Sequence, residues 1–278
     1  MAQRPHLRSH LHRDDAIRAQ FEGPGSAANY AAAHVGSGSA ARFFADRIAL
    51  TLRILNENPS GALLDVGCGP GILLRALLSE RPHAYQVSVV DRSSAMVEAC
   101  LEGVGRDRIN QAAVGRAESL PFADGEFDVV LALGVIEYTA ADAALAEIAR
   151  VTRPDGLVLV SMLNPSSPYR FVEFNVFWPL LRLLRTVETR LSLPGKRHAQ
   201  VEHGIHAYRG SRMRWLLRSA GLKPSEAAYF DARLVVPPFD RFVRRSRVPR
   251  PSSHANRGWR KWLSTAYLIP ARKFASTT

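Results

Sequence analysis

Apolar and polar residues follow two alternating patterns through the middle of the chain. Short, unbroken apolar runs indicate strands buried on both faces, and the segments after them carry apolar residues at helical spacing. From Gly61 onward, the predicted strands read ALLDV, YQVSVVD, RINQAAVG, FDVVLALGV and LVLVSML. The predicted helices between them read GILLRALLSERP, SSAMVEACLEGV and ADAALAEIARVTRPDG. This alternation predicts an α/β fold in which helices flank a mostly parallel sheet.

The two ends of the chain depart from this alternation. Near the N-terminus, EGPGSAANY has the composition of a turn, and a helix is predicted from Ala40 to Leu55. Near the C-terminus, we expect a helix in GSRMRWLLRSAG and strands in LKPSEAAYFDARLVV and STAYLIPARK. We therefore expect four regions. Residues 1–40 form an N-terminal lid or flexible segment, and residues 41–163 form the core. Residues 164–210 form a cap insertion, and residues 211–278 complete the sheet and contain a basic loop at 233–262.

Charge is distributed unevenly over the 278 residues, whose formal net charge is +12. Residues 1–164 hold 15 basic and 19 acidic side chains, whereas residues 165–278 hold 22 basic and 6 acidic ones. A basic half suits an acidic ligand, an anionic membrane surface or nucleic acid, although a solvated arginine-rich surface has the same composition.

Cysteine usage and hydropathy predict where the protein works. Two cysteines, Cys68 and Cys100, are too few for a disulfide framework and indicate a reducing compartment. The N-terminal segment has positive charge without the apolar stretch of a signal peptide. No stretch of about 18 uncharged apolar residues is present, so no membrane-spanning helix is expected. The predicted location is the cytoplasm, either free or peripheral at the membrane.

The stretch LLDVGCGPG places three glycines at alternate positions between a strand and a helix. Such a turn brings backbone N–H groups and a helix N-terminus to the ligand-binding edge of the sheet. Its spacing differs from the dinucleotide motif GxGxxG, and the lack of a following Lys-Ser/Thr excludes a phosphate-binding P-loop. Asp91 ends the next strand twenty residues after Gly71, where its two oxygens can accept hydrogen bonds from both ribose hydroxyls. Asp91 thus indicates an adenosyl ribose without choosing the cofactor.

Two later segments, GRAESLPFADGEFDVVLALGVIEY and LAEIARVTRPDGLVLVS, follow the glycine turn and VVDRSSAMVEAC in order. Together these motifs resemble class I S-adenosylmethionine-dependent methyltransferases of the small-molecule and ubiquinone-type group. The resemblance is strong from Leu63 to Met162 and weaker through GLKPSEAAYF and AYLIPARK. It implies a seven-stranded Rossmann-like sheet with cap insertions and S-adenosyl-L-methionine as co-substrate.

The resemblance assigns roles on the methionine and ribose side. Asp65 is expected to face the methionine ammonium, through water or directly, and the carbonyls near Leu133 and Gly134 to help hold that group. Asp91 is expected to hold the ribose hydroxyls. The amino-acid and ribose portions are expected to lie along the backbone of three residues: Gly67, Gly69 and Gly71.

On the adenine side, Arg92 or Ser93 is expected to flank the base, and Ala117 to offer its backbone N–H to it. Related sequences have an acid just before that alanine, but this chain has Arg116, which carries no acceptor. Glu118 or a backbone carbonyl is the expected substitute.

Five residues are candidates for catalysis. Glu137 and Tyr138 follow the fourth strand, where substrate-facing polar groups are common in related enzymes, although Glu137 could equally cap a helix or lie in an exposed turn. His203 and His206 could act as bases near neutral pH, or be ordinary surface or core histidines. Tyr30 resembles the tyrosine of a closing N-terminal segment. No further ligand pattern supports a metal site.

The segment Tyr169–Leu193 combines apolar residues with arginines. It predicts a cap that offers its apolar side chains to a hydrophobic acceptor, with basic residues suiting an anionic group on that acceptor. An amphipathic helix on an anionic membrane and plain packing onto the core are the alternatives. The apolar residues are Phe171, Phe174, Phe177, Trp178, Leu180, Leu181, Leu184 and Leu191, and the arginines are Arg182, Arg185 and Arg190.

The predicted function is methyl transfer to O, N or C of a hydrophobic small molecule such as a quinone, polyketide, terpenoid or lipid. The basic half raises the alternative of an RNA methyltransferase, but LGVIEY replaces the amino-methylating N/D-P-P-Y/F motif, and no RNA-binding module is recognised. Nucleic acid is therefore not the expected partner. A non-catalytic membrane-surface protein that keeps the fold is the other alternative. The oligomeric state is not predicted.

Overall fold

The computed structural model describes residues 25–35, 38–58, 60–181, 183–184, 205–237 and 259–274. Within these residues the strands form one sheet in the order 3-2-1-4-5-8-6, with the seventh strand also paired to the eighth. Strands β1 to β5 are mutually parallel where they pair, and β8 is antiparallel to its neighbours. The strands are β1 (Gly61–Val66), β2 (Tyr85–Asp91), β3 (Ile109–Val114), β4 (Phe127–Leu133), β5 (Thr152–Leu163), β6 (Leu222–Pro224), β7 (Ala228–Ala232) and β8 (Ser264–Lys273).

The predicted α/β fold with a mostly parallel sheet is confirmed, and the described chain has eight strands where seven are expected. Strands β6 and β7 share one position beside β8. Pro224 pairs with Ala271, and Ala228 pairs with Leu268. These two pairs are four residues apart along this edge but only three residues apart along β8. The extra residue is a bulge that divides one expected strand into two.

Helices cover both faces of the sheet because successive strand residues point to opposite sides. Leu63 packs with helices α2 (Ser39–Asn56), α3 (Ile72–Glu80) and α4 (Ser94–Val104), and the next residue, Leu64, packs on the opposite face. That opposite face is covered by α5 (Ala141–Val151) and α7 (Gly210–Ser219), while α6 (Pro168–Val172) and α8 (Arg260–Leu263) are short. The described helices include none long and apolar enough to cross a membrane.

The N-terminal segment contains a helix where the sequence predicts a turn. Helix α1 (Ser26–Ala33) begins after Gly25, whose φ of 74° marks the start, and it packs against α4. Alanine-rich sequence has high helix propensity but no apolar periodicity, so packing rather than pattern determines this helix. Residues 1–24 lie outside the described residues.

The segment after β5 is helical as far as it is described. Ser167 caps α6 by accepting a hydrogen bond from the backbone N–H of Arg170 at 3.2 Å, and Pro168 takes the first helical position. A π-helix (Glu173–Phe177) and helical residues 178–181 and 183–184 follow. Arg182, Arg185, Arg190, Leu191 and most of the basic loop, residues 238–258, lie outside the described residues.

Candidate active site

A cavity of about 440 Å³ opens at the carboxyl edge of the parallel strands. Its size lies in the range of small-molecule sites, and this edge is where open α/β sheets bind ligands. The glycine turn after β1 and the ends of β2 and β4 form one side. Helices α1, α2 and α6 form the other.

Each glycine of the turn has a positive φ, but the three have different neighbours. A Cβ on Gly67 would lie 2.4 Å from Val135 Cγ2, and one on Gly71 would lie 2.9 Å from Cys100 Sγ. A Cβ on Gly69 would project toward the Tyr30 ring, 3.5 Å away. Gly67 and Gly69 line the cavity, whereas Gly71 begins helix α3. Gly69 thus keeps open the space beneath Tyr30.

Asp91 lies where the sequence predicts the ribose contact. Its Oδ2 accepts a hydrogen bond from the backbone N–H of Gly69 at 3.0 Å, and its Oδ1 accepts one from Ser93 at 2.9 Å. Burial raises the pKa of Asp91, and these hydrogen bonds and the Arg92 guanidinium oppose that rise. A carboxylate has about four lone-pair sites, so Asp91 can accept a hydroxyl donor beside these backbone hydrogen bonds.

Asp65, predicted to face the methionine ammonium directly or through water, is buried in the fold. The described lining of the cavity includes its neighbours Val66 and Gly67 but not Asp65, which is buried at the end of β1. Burial raises the pKa of Asp65 to about 7, and the charge of Arg47 opposes the rise. The predicted contact of Asp65 with the ammonium therefore stays a prediction.

Arg47 is a cavity residue that sequence reasoning missed. It is buried on α2, its Nη1 donates to the carbonyl of Leu133 at 3.3 Å, and its guanidinium lies 5.0 Å from the centre of the Phe44 ring. Its buried Nε has no hydrogen-bond partner among the described residues. The available signal was its spacing, since Arg47 lies four and eight residues before the buried Thr51 and Leu55 on one helix face.

Some of the groups predicted to bind the methionine and the adenine already hold other partners within the fold. Leu133 lines the cavity, but its carbonyl already accepts from Arg47. Ala117 is buried in the wall, and Arg116 and Glu118 lie beside it. Glu118 Oε1 accepts from the Ala140 N–H at 3.1 Å, at the start of α5, and lies 3.5 Å from Arg116 Nη2. Glu118 therefore supports a helix end as well as the wall. Arg92 also lines the cavity.

Glu137 and Tyr138 line the cavity from a 3₁₀ turn (Ile136–Tyr138) directly after β4. Glu137 is buried, which excludes the exposed turn considered from the sequence. Burial raises its pKa to about 7, while the backbone at Leu163 and the charges of Arg47 and Arg170 oppose the rise. Glu137 is thus a buried acid that can exchange a proton near neutral pH.

Of the three remaining catalytic candidates, one lines the cavity, one does not, and one lies outside the described residues. Tyr30 lines the cavity, with its ring 4.9 Å from His34 and 5.7 Å from Phe44. His206 is exposed and absent from the described lining, and its backbone N–H donates to the carbonyl of Glu137 at 2.8 Å. His203 lies outside the described residues. The described residues contain no group of three or more potential metal ligands.

The cap contributes different side chains from those expected. Tyr169, Arg170 and Glu173 line the cavity, because Glu173 follows Tyr169 by four residues and Arg170 by three, and these spacings share one face of a helix. Arg170 is paired with Glu173, and Arg233, whose guanidinium lies 4.4 Å from the centre of the Tyr169 ring, is paired with Asp231 at 2.7 Å, so these cations are neutralised. The described apolar residues predicted to face the acceptor are absent from the lining: Phe171, Phe174, Phe177, Trp178, Leu180, Leu181 and Leu184.

Comparison with known proteins finds a family match for the central part of the chain, which forms one side of the cavity. Residues 64–160 match the model of the methyltransferase domain family. This central segment therefore matches a methyltransferase domain. The predicted resemblance is thereby confirmed for the domain, which contains the glycine turn, Asp91 and Glu137.

A curated protein that resembles the chain is also a methyltransferase by its name. The chain is 33% identical over 153 residues to a ubiquinone/menaquinone biosynthesis C-methyltransferase, UbiE, of Burkholderia mallei. That match covers 52% of this chain and 56% of the relative, so the chain spans about half the length of the curated relatives it matches.

Two solved structures share the fold of the methyltransferase domain. A chain from the complex of the Haloferax volcanii Trm112 methyltransferase activator and a methyltransferase is 19% identical, with a TM-score of 0.54 over 81% of this chain and 89% of that chain. The 1,6-didemethyltoxoflavin-N1-methyltransferase of Burkholderia thailandensis is 18% identical, with a TM-score of 0.53 over 99% of this chain and 92% of that chain. At these identities the likeness concerns the fold alone.

Proposed function

We propose that the protein transfers a methyl group from S-adenosylmethionine to a hydrophobic small molecule. The observation that carries this proposal is a single cavity that joins two chemically different ends. The glycine turn and Asp91 lie at one end, and apolar side chains from α2, β5 and α6 lie at the other. A donor and an acceptor held in one cavity can react with much of the entropic cost already met by binding.

The donor end has groups that fit S-adenosylmethionine. Asp91 offers two acceptor oxygens for the ribose, and Gly69 leaves the space in front of it open. The buried Arg47, whose Nε lacks a partner among the described residues, fits the methionine carboxylate. When bound, the donor supplies an electrophilic methyl group on its sulfonium. Arg47, Asp91 and Gly69 would hold and orient it.

The acceptor end favours an aromatic or otherwise apolar molecule. Phe43, Leu163, Tyr169 and Ile205 line it. The cations there are paired with acids, so an anionic group on the acceptor is not required. Two of the similar proteins are, by their names, a quinone C-methyltransferase and a toxoflavin-precursor N-methyltransferase. These names support a quinone-like or heteroaromatic acceptor, methylated at C, N or O. Neither the RNA methyltransferase nor the non-catalytic alternative is favoured by them.

Glu137 is the proposed base where the acceptor must lose a proton. Its carboxyl lies on the cavity wall and has a pKa raised by burial to about 7, which matches proton transfer near neutral pH. Tyr138 beside it offers a hydroxyl for orientation, and Tyr30 covers the donor end and excludes water. We place the protein in the cytoplasm, a location that the free, buried Cys68 and Cys100 support.

Methyl-labelled S-adenosylmethionine tests this function directly. The enzyme is incubated with a panel of quinols, phenols and heteroaromatic amines, and labelled products are found by mass spectrometry. We expect at least one labelled product, with a rate that falls about a hundredfold or more in Glu137→Gln. Glu102→Gln, an exposed glutamate on α4, is the matched control. Cofactor binding without any labelled product would favour the alternative of a non-catalytic protein. Labelling of RNA alone would favour the alternative of an RNA methyltransferase.

A further inference from the structure

An exposed aromatic and apolar surface lies beside the cavity and is not used by the proposed reaction. Trp259 is 63% exposed, Trp262 60%, Phe171 59% and Leu234 74%. We call these four residues the rim patch. Large apolar side chains grouped on a surface indicate a site of protein or membrane contact.

Backbone contacts bring the rim patch together from three parts of the chain. Helix α8, which contains Trp262, packs against α6, which contains Phe171, and against β7. The backbone N–H of Arg233, next to Leu234, donates to the carbonyl of Leu263 at 3.0 Å. The Trp262 N–H donates to the carbonyl of Trp259 at 3.0 Å, which makes the two tryptophans neighbours across one helical turn.

The rim patch occupies the same edge of the sheet as the cavity. Strand β5 ends and β8 begins at this edge, since Leu163 pairs with Ala266. Tyr169 and Arg170 line the cavity, and the next residue, Phe171, lies on the rim patch. The same change from lining to rim occurs between Arg233 and its neighbour Leu234. A surface that binds the rim patch would therefore lie next to the cavity.

Charge around the rim patch favours an anionic partner. Lys261 lies between the two tryptophans, with its Nζ 5.7 Å from the Trp262 ring. By sequence, residues 238–258 between Leu234 and Trp259 hold six arginines and one aspartate. In the described part of 168–184 and 259–263, the single acid is Glu173, which is paired with Arg170.

We propose that the rim patch docks the protein on an anionic lipid bilayer. Tryptophan is enriched where a bilayer meets water, and basic residues near it are attracted to an anionic leaflet. Exposed Val176, Leu180 and Leu183 extend the apolar surface along the helix after α6. Docking adds a partner and does not require methyl transfer. Together with the proposed function, it would place the cavity beside the lipid phase in which a hydrophobic acceptor dissolves.

Vesicle co-sedimentation tests the docking without cofactor or acceptor. The full chain is mixed with vesicles of phosphatidylcholine alone, or with about 30% phosphatidylglycerol. We expect binding to the anionic vesicles, and a loss of about tenfold or more in affinity for Trp259→Ser/Trp262→Ser. Trp215→Ser is the matched control, because Trp215 is 50% exposed but lies on α7, on one face of the sheet. It should bind like the wild type.

Three results would overturn the docking proposal. These are no binding to anionic vesicles, equal binding by the double variant, or an RNA oligonucleotide bound in preference to vesicles. Gel filtration adds a fourth, since a dimer that the double variant abolishes would make the rim patch an interface between two copies. Unchanged binding of S-adenosylmethionine confirms that the variant is folded, and Leu234→Ser serves if the double variant does not fold.

Discussion

At the scale of single residues, the charge of the buried Arg47 opposes the rise that burial causes in the pKa of two acids, Asp65 and Glu137. Asp91 was predictable because a motif and a strand end fixed its position. Asp65 lies in the preceding glycine-turn motif, yet the fold buries it near the charge of Arg47 and outside the described lining of the cavity. A motif gives the position of a residue along the chain, but the burial of its side chain depends on elements that are far away in sequence. Arg47 was missed for the same reason.

Glu137 carries a prediction about stability and pH. Burial raises the pKa of its folded form to about 7 from 4.5. The stability that neutral Glu137 contributes is therefore complete below the unfolded pKa and is lost as the pH rises through 7. We expect Glu137→Gln to gain unfolding free energy relative to the wild type between about pH 5 and pH 8, by at most about 3 kcal/mol.

Urea unfolding at several pH values measures this gain. Glu102→Gln, with its exposed side chain, is the control and should track the wild type at each pH. A difference between Glu137→Gln and the wild type that stays constant over the whole range would show that Glu137 does not take up its proton in the fold.

At the scale of elements, the strongly periodic segments were predictable and the exceptions have local causes. Strands β1, β2 and β4 and the helices packed on them follow the apolar pattern, since both faces of their sheet are buried, whereas the edge strand β3 is largely exposed. The bulge between β6 and β7 has no signal in the sequence, because it depends on register against β8. The apolar pattern also could not predict which face of α6 meets the cavity. An apolar helix with arginines has two usable faces, and the exit from β5 selects the one that meets the cavity.

Helix α1 provides the prediction at this scale. Tyr30 places its ring over Gly69 and against His34 and Phe44, so the helix acts as a cover for the donor end. We expect Tyr30→Ala to weaken S-adenosylmethionine binding about three- to tenfold, as loss of an aromatic contact implies. Tyr30→Phe keeps the ring and should bind like the wild type. Equal affinity for Tyr30→Ala and the wild type, measured by calorimetry, would show that α1 is not a cover.

At the scale of the whole molecule, the two electrostatically different halves meet at one edge of the sheet. The donor end is built mainly by the first half, which is slightly acidic, and the rim patch mainly by the basic second half. The fold and the donor were predictable because they depend on the ordered motifs of the first half. The acceptor was not, since one fold serves many substrates and the second half carries no comparable motif.

Calorimetric titration with S-adenosylmethionine tests the central claim most directly. We expect the wild type to bind one equivalent, and Asp91→Ala to bind about thirtyfold or more weakly, because two hydrogen bonds to a carboxylate are lost. Asp142→Ala, which removes an exposed aspartate from the first turn of α5, should bind like the wild type. Absence of binding by the wild type, or undiminished binding by Asp91→Ala, would contradict the account.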